Sequence, residues 1–75
     1  MNIVGILIGT LPEYTDYVLE HLKQLGIEVH GVNESGQIVV TLEEEHDEII
    51  TQKITQLQQI QGVLTAAMVY HQIEN

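Results

Sequence analysis

The chain lacks cysteine, tryptophan, phenylalanine and arginine, and it contains only two lysines and one proline. Without cysteine it can have no disulfide bond, no thiolate zinc site and no cysteine nucleophile. Because Phe and Trp are absent, a hydrophobic core must be built from aliphatic side chains. The absence of arginine removes the side chain best suited to bidentate phosphate binding, and the chain also has no glycine-rich phosphate loop.

Negative charge, in contrast, is abundant. Eleven Asp and Glu residues give the chain a formal net charge of -9 and a pI of about 4.5. A surface of this sign repels nucleic acid and attracts cationic partners. The apolar segment 1–8 is too short to cross a bilayer and has no basic flank, so it does not resemble a signal peptide. We therefore expect no nucleic-acid partner, no stable membrane association and a cytoplasmic location.

Length and composition predict a single domain that spans residues 1–75. Hydrophobic residues make up 44% of the chain, which is enough for one core, whereas 75 residues leave no room for a second. A functional site must then lie on a surface rather than in a cleft between two lobes.

Hydrophobic periodicity divides the chain into four strands and two helices. The first helix is expected to follow residues 10–13 (TLPE), which have the spacing of a capping box, and to end at Gly26. The second is expected to begin in the acidic segment 43–48 and to end at Gly62. Strands are predicted at 2–9, 27–32, 37–42 and 63–71.

The resulting order is βαββαβ, with a hairpin turn at residues 33–36. This order predicts an α+β, ferredoxin-like fold, in which a four-stranded antiparallel sheet carries two helices on one face. The other face of the sheet is then uncovered.

The uncovered face is the main candidate for a binding site. Alternation along the strands assigns these residues to the helix side: Val4, Ile6, Ile8, Ile38, Val40, Leu42, Leu64, Met68 and Tyr70. The set assigned to the uncovered face is small and mostly apolar: Gly5, Leu7, Gly9, Val39, Thr41, Thr65, Ala67, Val69 and His71. A shallow apolar trough of this kind is typical of an interaction surface, and two such sheets could also pack together as a weak homodimer.

Little in the sequence supports an enzyme. The only serine, Ser35, falls in the predicted hairpin turn, where serine is a common turn former. The four histidines lie on four different elements, at spacings that match no metal-ligand pattern. Tyr70 and His71 are adjacent in a strand, so their side chains point to opposite faces. We expect no catalytic residues, no metal and no cofactor.

Two segments of the chain resemble the NapD family of small cytoplasmic chaperones. Residues 62–72 (GVLTAAMVYHQ) look like the final strand of that family, and residues 36–43 (GQIVVTLE) are similar to its third strand. The element order, length and acidity fit from end to end. The first strand differs, with Gly5 where the family usually has serine and Gly9 where a polar residue is common.

The resemblance implies a chaperone that binds the twin-arginine (Tat) signal peptide of the catalytic subunit of periplasmic nitrate reductase. Such a chaperone prevents export before the molybdenum cofactor has been inserted and assists maturation. The family binds the peptide on its sheet surface. Glu28 and His30, on the outer edge strand, and Glu34, in the turn, are then candidates to meet the arginines.

A ligand-sensing regulatory domain of the ACT type is the alternative. Such domains share the βαββαβ order and bind small amino acids near the first strand–helix junction. Residues 9–11 (GTL) could host such a site. Dimerisation with thermal stabilisation by an amino acid would favour this alternative, whereas signal-peptide binding by the monomer would favour the chaperone.

Overall fold

The computed structural model describes residues 1–73, and its elements follow the predicted order. The helices are α1 (Thr15–Gln24), which follows a short 3-10 turn (Pro12–Tyr14), and α2 (Asp47–Gln58). The strands are β1 (Asn2–Thr10), β2 (Glu28–Val32), β3 (Gln37–Glu44) and β4 (Val63–Ile73).

The four strands form one antiparallel sheet in the order β2-β3-β1-β4. The central strand β1 pairs with β3 from Asn2↔Glu44 to Gly9↔Gln37 without interruption. Its pairing with β4 on the other side contains two register shifts, one between Gly5 and Ile6 and one between Gly9 and Thr10. This strand order is the predicted ferredoxin-like arrangement.

One aliphatic core lies between the sheet and both helices. Val4, Ile6 and Ile8 of β1 are fully buried. They belong to a cluster with buried residues of α1, β3 and α2: Val18, Leu22, Ile38, Val40, Leu42, Ile50 and Leu57. Both helices pack on the side of the sheet to which these alternate residues of β1 point. Both therefore lie on one face of the sheet.

The capping box predicted before the first helix is not formed. Thr10 is the last residue of β1, and its hydroxyl donates a hydrogen bond of 2.8 Å to the carbonyl of Gly36. Its backbone amide donates to the same carbonyl at 2.7 Å. Thr10 therefore ties the β2–β3 turn to the end of β1, while Leu11 precedes the 3-10 turn with no side-chain cap.

Asn33 organises the hairpin turn between β2 and β3. Its side-chain oxygen accepts hydrogen bonds of 3.0 Å from the amides of Ser35 and Gln37. This is an Asx turn, in which the side chain mimics a backbone acceptor. Ser35 thus lies in a turn, as predicted.

The second helix is shorter than predicted at both ends. Glu43 and Glu44 belong to β3, and the acidic first turn of α2 is formed by Asp47 and Glu48, where negative charge favours a helix N-terminus. The helix ends before Gly62, which has a φ of +94° and leads the chain into β4. Within residues 1–73, no helix has the length and apolar character needed to cross a membrane.

The turn at Gly62 provides a test of the packing. A Cβ at this position would lie 2.3 Å from the Cβ of Tyr14, on a backbone that already has a positive φ. We expect Gly62→Ala to lower the free energy of unfolding, measured in urea, by roughly 2–4 kcal/mol. Gly31→Ala is the matched control, since nothing lies within 4 Å of a Cβ there, and it should cost less than about 0.5 kcal/mol. Equal stability of the two variants would contradict the close approach of Tyr14.

Candidate functional site

The sheet face opposite the helices, which we call the outer face, is formed around the odd-numbered residues of β1. Ile3, Gly5, Leu7 and Gly9 alternate with the buried core residues and therefore point to this face. The strand register places these neighbours beside them: Glu43, Thr41, Val39 and Gln37 on β3, and Gln72, Tyr70, Ala67 and Thr65 on β4. Gly5, Leu7, Val39, Thr41, Thr65 and Ala67 thus lie on the face to which alternation assigned them.

The middle of the outer face is flat and apolar. Leu7 lies between Val39 of β3 and Ala67 of β4, and Gly31 of β2 pairs with Val39 from the far side. We call Leu7, Val39 and Ala67 the apolar strip. Val39 is 41% exposed, although a solvent-facing strand position normally carries a polar residue. Exposed apolar surface of this kind is typical of a surface that a partner covers.

A bulge in β4 changes the predicted assignment of its second half. Ile6 pairs with Met68 and Gly5 pairs with Tyr70, so Val69 is an additional residue with no partner on β1. After a bulge the alternation of a strand is shifted by one residue. Tyr70 therefore lies on the outer face and His71 on the helix side, the reverse of the predicted assignment, and Val69 sits at the edge with 61% of its surface exposed.

His71 makes a specific contact on the helix side. His71 pairs with Val4, and its Nε2 atom lies 2.9 Å from the Oδ1 atom of the buried Asn2. The prediction that Tyr70 and His71 point to opposite faces is confirmed by this register, with the two faces exchanged. Leu64 was also assigned to the helix side, but it falls at the second register shift and is exposed.

Tyr70 covers Gly5 on the outer face. A Cβ built on Gly5 would lie 3.1 Å from the Cβ of Tyr70 and 3.5 Å from its Cδ1. Gly5 is buried although it points away from the helices, and the ring of Tyr70 accounts for this burial. The absence of a side chain at position 5 lets the ring lie across the centre of the sheet.

The β2 side of the outer face carries a polar group of three side chains. Glu28 pairs with Thr41, and His30 lies at a register shift in the same strand. The Nε2 atom of His30 is 2.7 Å from the Oγ1 atom of Thr41 and 3.9 Å from Oε1 of Glu28. Glu28 and His30 are therefore beside the outer face, where the sequence placed them.

Both lysines of the chain lie on the helices, whereas Glu28 and Glu43 lie on strands of the sheet. Lys23 is in the last turn of α1, and Lys53 of α2 forms an ion pair with Glu44. Glu44 pairs with Asn2 and so belongs to the helix side, whereas Glu43 pairs with Ile3 on the outer face. Glu28 and Glu43 thus place two carboxylates on this face, and Lys53 lines a shallow cavity with both of them. Such a face favours a cationic ligand.

In the described part of the chain, the structure assembles neither a metal site nor the predicted small-ligand site. Among residues 1–73, no group of three or more His, Asp or Glu side chains is placed to hold a metal ion. At the first strand–helix junction, the amide of Thr10 donates to Gly36 and the amide of Leu11 donates to the carbonyl of Gly62 at 2.9 Å. These amides are already hydrogen-bonded within the protein and are not free for a small ligand.

The fold defines a small ferredoxin-like domain, with one sheet face buried against the helices and the other face open. A comparison with protein families identifies it further. The family model described as "NapD protein" matches residues 1–75. The chain belongs to the NapD family.

Individual relatives agree with this assignment. Chaperone NapD of Escherichia coli (strain K12) is 42% identical over 40 residues, which cover 53% of this chain and 46% of that protein. Chaperone NapD of Shigella flexneri matches with the same values. The chain thus matches a little under half the length of these curated relatives. The solution structure of the E. coli Tat proofreading chaperone protein NapD has a TM-score of 0.83 and 29% identity, covering 97% of this chain and 79% of that one.

Sequence reasoning missed several residues of the outer face. Glu43 and Gln72 extend it because β3 and β4 continue further than expected, and Ile3 extends it within the predicted first strand. Tyr70 was assigned to the wrong side because the bulge at Val69 leaves no signal in the alternation of a single strand. The alternation of β3 could have indicated that the strand continues to Glu43, since a polar residue is normal at a solvent-facing strand position.

The position of Tyr70 can be tested by NMR. An aromatic ring stacked over a glycine shields the α-protons of that glycine, so the Gly5 α-protons should resonate upfield and move downfield in Tyr70→Leu. Tyr17→Leu is the matched control, since Tyr17 is an exposed tyrosine on α1, and it should leave the Gly5 signals unchanged. An unchanged Gly5 shift in Tyr70→Leu would place the ring on the helix side, as regular alternation predicts.

Proposed function

We propose that this protein is a cytoplasmic chaperone that binds the Tat signal peptide of a periplasmic nitrate reductase catalytic subunit on its outer face. The bound precursor is kept from export until the molybdenum cofactor has been inserted. Membership of the NapD family supports this proposal, as does the structural likeness to a Tat proofreading chaperone.

The apolar strip is the observation that carries the proposal. A Tat signal peptide joins two arginines to an apolar stretch, and an apolar helix binds by laying one face along a matching groove or strip. Covering about 400 Å² of apolar surface would contribute on the order of 10 kcal/mol before the cost of ordering the peptide. Leu7, Val39 and Ala67 supply part of such a surface on the protein's side.

The charge of the protein supports the same ligand. A net charge of -9 speeds the encounter with a peptide that carries two positive charges. Each exposed ion pair adds only about 0–1 kcal/mol, so apolar contact supplies most of the affinity. A weak homodimer through the apolar strip would compete with the peptide, since both need Val39 uncovered.

The alternative of an amino-acid-sensing domain has no support in the structure. Its predicted site at residues 9–11 is closed by the hydrogen bonds of Thr10 and Leu11 to Gly36 and Gly62. An enzymatic role has equally little support, since the relatives are named chaperones.

The apolar strip can be tested with two valines that differ in the face they occupy. Val39 is 41% exposed on the outer face, whereas Val32 is 50% exposed and pairs with Ile38 on the helix side. We expect Val39→Asp to weaken binding of a twin-arginine peptide at least about 10-fold by calorimetry, because the carboxylate would be buried under the apolar stretch. Val32→Asp adds the same charge and should leave the affinity within about 2-fold. Equal affinity of the two variants would remove the apolar strip from the mechanism.

Signal-peptide dependence can be tested by co-purification. The protein should recover the full-length nitrate reductase catalytic subunit and not a version that lacks the signal peptide, because the proposed contacts lie in that segment. The Val39→Asp variant should recover neither. Equal recovery of both forms by the unchanged protein would contradict the proposed function.

A further inference from the structure

The two ends of the outer face differ in chemistry. From the apolar strip toward Gly9, the neighbouring side chains are the uncharged Gln37 and Thr65. From Gly5 toward Ile3, the neighbours include Tyr70 and Glu43, and Glu28 joins them through its pairing with Thr41. One end is therefore neutral, and the other is acidic and aromatic. We call the second the acidic end.

Tyr70 presents a ring to solvent at the acidic end. The ring lies over Gly5, with Cγ 3.7 Å from the position of a Cβ there, and Tyr70 is nevertheless 48% exposed. Its hydroxyl donates a hydrogen bond to Oε1 of Gln72. The ring thus packs against β1 at Gly5, and Gln72 fixes the position of its hydroxyl. The rest of the ring is open to a ligand.

Two carboxylates lie within reach of this ring. With a strand spacing of about 4.8 Å and a rise of about 3.4 Å per residue, the backbone of Glu43 is about 8 Å from Gly5 and that of Glu28 about 10 Å. Lys53 forms its ion pair with Glu44 and lines the same shallow cavity as Glu28 and Glu43. The long side chains of glutamate and of a ligand can span these distances.

An aromatic ring flanked by carboxylates suits a guanidinium group better than an ammonium group. Arginine is planar, stacks on aromatic rings and can bind a carboxylate through two hydrogen bonds, whereas lysine carries a compact and strongly hydrated charge. We propose that Tyr70, Glu28 and Glu43 form a guanidinium subsite. The peptide then binds with its arginines at the acidic end and its apolar stretch over the apolar strip. This inference rests on the proposed function and adds the position of the arginines and the direction of the peptide.

The turn residue Glu34 lies outside this subsite. It lines a shallow cavity together with Asp16 and Leu19 of α1, on the helix side of the molecule. The turn also adjoins the Gly9 end of β1, because Thr10 binds Gly36. Arginines at the acidic end would be separated from Glu34 by the length of the apolar strip.

Two versions of one peptide, with Arg-Arg or Lys-Lys at the same positions, test the subsite by calorimetry. Tyr70→Leu should weaken binding of the Arg-Arg peptide about 5- to 10-fold and binding of the Lys-Lys peptide less than about 2-fold. Tyr70→Phe keeps the ring, and Tyr17→Leu changes a tyrosine on α1. Both variants should therefore bind either peptide with an affinity within about 2-fold of that of the unchanged protein. An equal effect of Tyr70→Leu on the two peptides, or no effect, would overturn the subsite. Failure of the unchanged protein to bind either peptide would instead count against the proposed function.

The direction of the peptide can be measured in the unchanged protein, which removes any effect of a variant on folding. The protein has no cysteine, so a single cysteine in the peptide can carry a nitroxide label. A label beside the arginines should broaden the amide signals of Ile3, Gly5 and Glu43, and a label after the apolar stretch should broaden those of Gly9, Gln37 and Thr65. The reverse pattern, or equal broadening at both ends from each label, would overturn the proposed direction.

Discussion

The small size of the two helices constrains the whole structure, because they can bury only one face of a four-stranded sheet. The helices α1 and α2 have 10 and 12 residues, and both are used to cover the same side of β1. The central strand therefore has two environments. Val4, Ile6 and Ile8 supply the buried surface that stabilises the fold. Leu7 points to the other side of the sheet and adds little to that core.

The shape of the open side follows from the small residues that line it. A glycine in a strand loses the contacts a side chain would make with its cross-strand neighbours, so Gly5 and Gly9 weaken the sheet that contains them. In return, neighbouring side chains lie flat across them. The ring of Tyr70 covers Gly5, and a Cβ at Gly9 would lie 2.6 Å from Oγ1 of Thr65. The face stays shallow because these two positions carry no side chain.

The fold could be predicted from the sequence because its periodic signals are local. Alternation assigned β1 and β3 correctly, since their pairing runs from Asn2 to Gly9 without a bulge. It failed in β4 at Leu64, beside one register shift, and again beyond Met68, where one additional residue reverses the faces of Tyr70 and His71. A bulge is set by how a strand pairs with its neighbour, and the sequence of one strand does not contain that information. The capping box failed for a related reason, since the Thr10 hydroxyl binds Gly36, which is distant in sequence.

In the proposed complex, the two parts of the outer face would have different roles, one in affinity and the other in selectivity. Apolar contact scales with the area covered, so the apolar strip would hold many apolar helices about equally well. Polar groups at the acidic end contribute less to affinity because each remains partly in water. Their geometry, however, distinguishes a guanidinium from an ammonium group, which the apolar strip cannot do. A chaperone must also release its client. A small apolar contact area and a few exposed charges would keep the affinity low enough for the client to dissociate, whereas a buried ion pair would make dissociation slow.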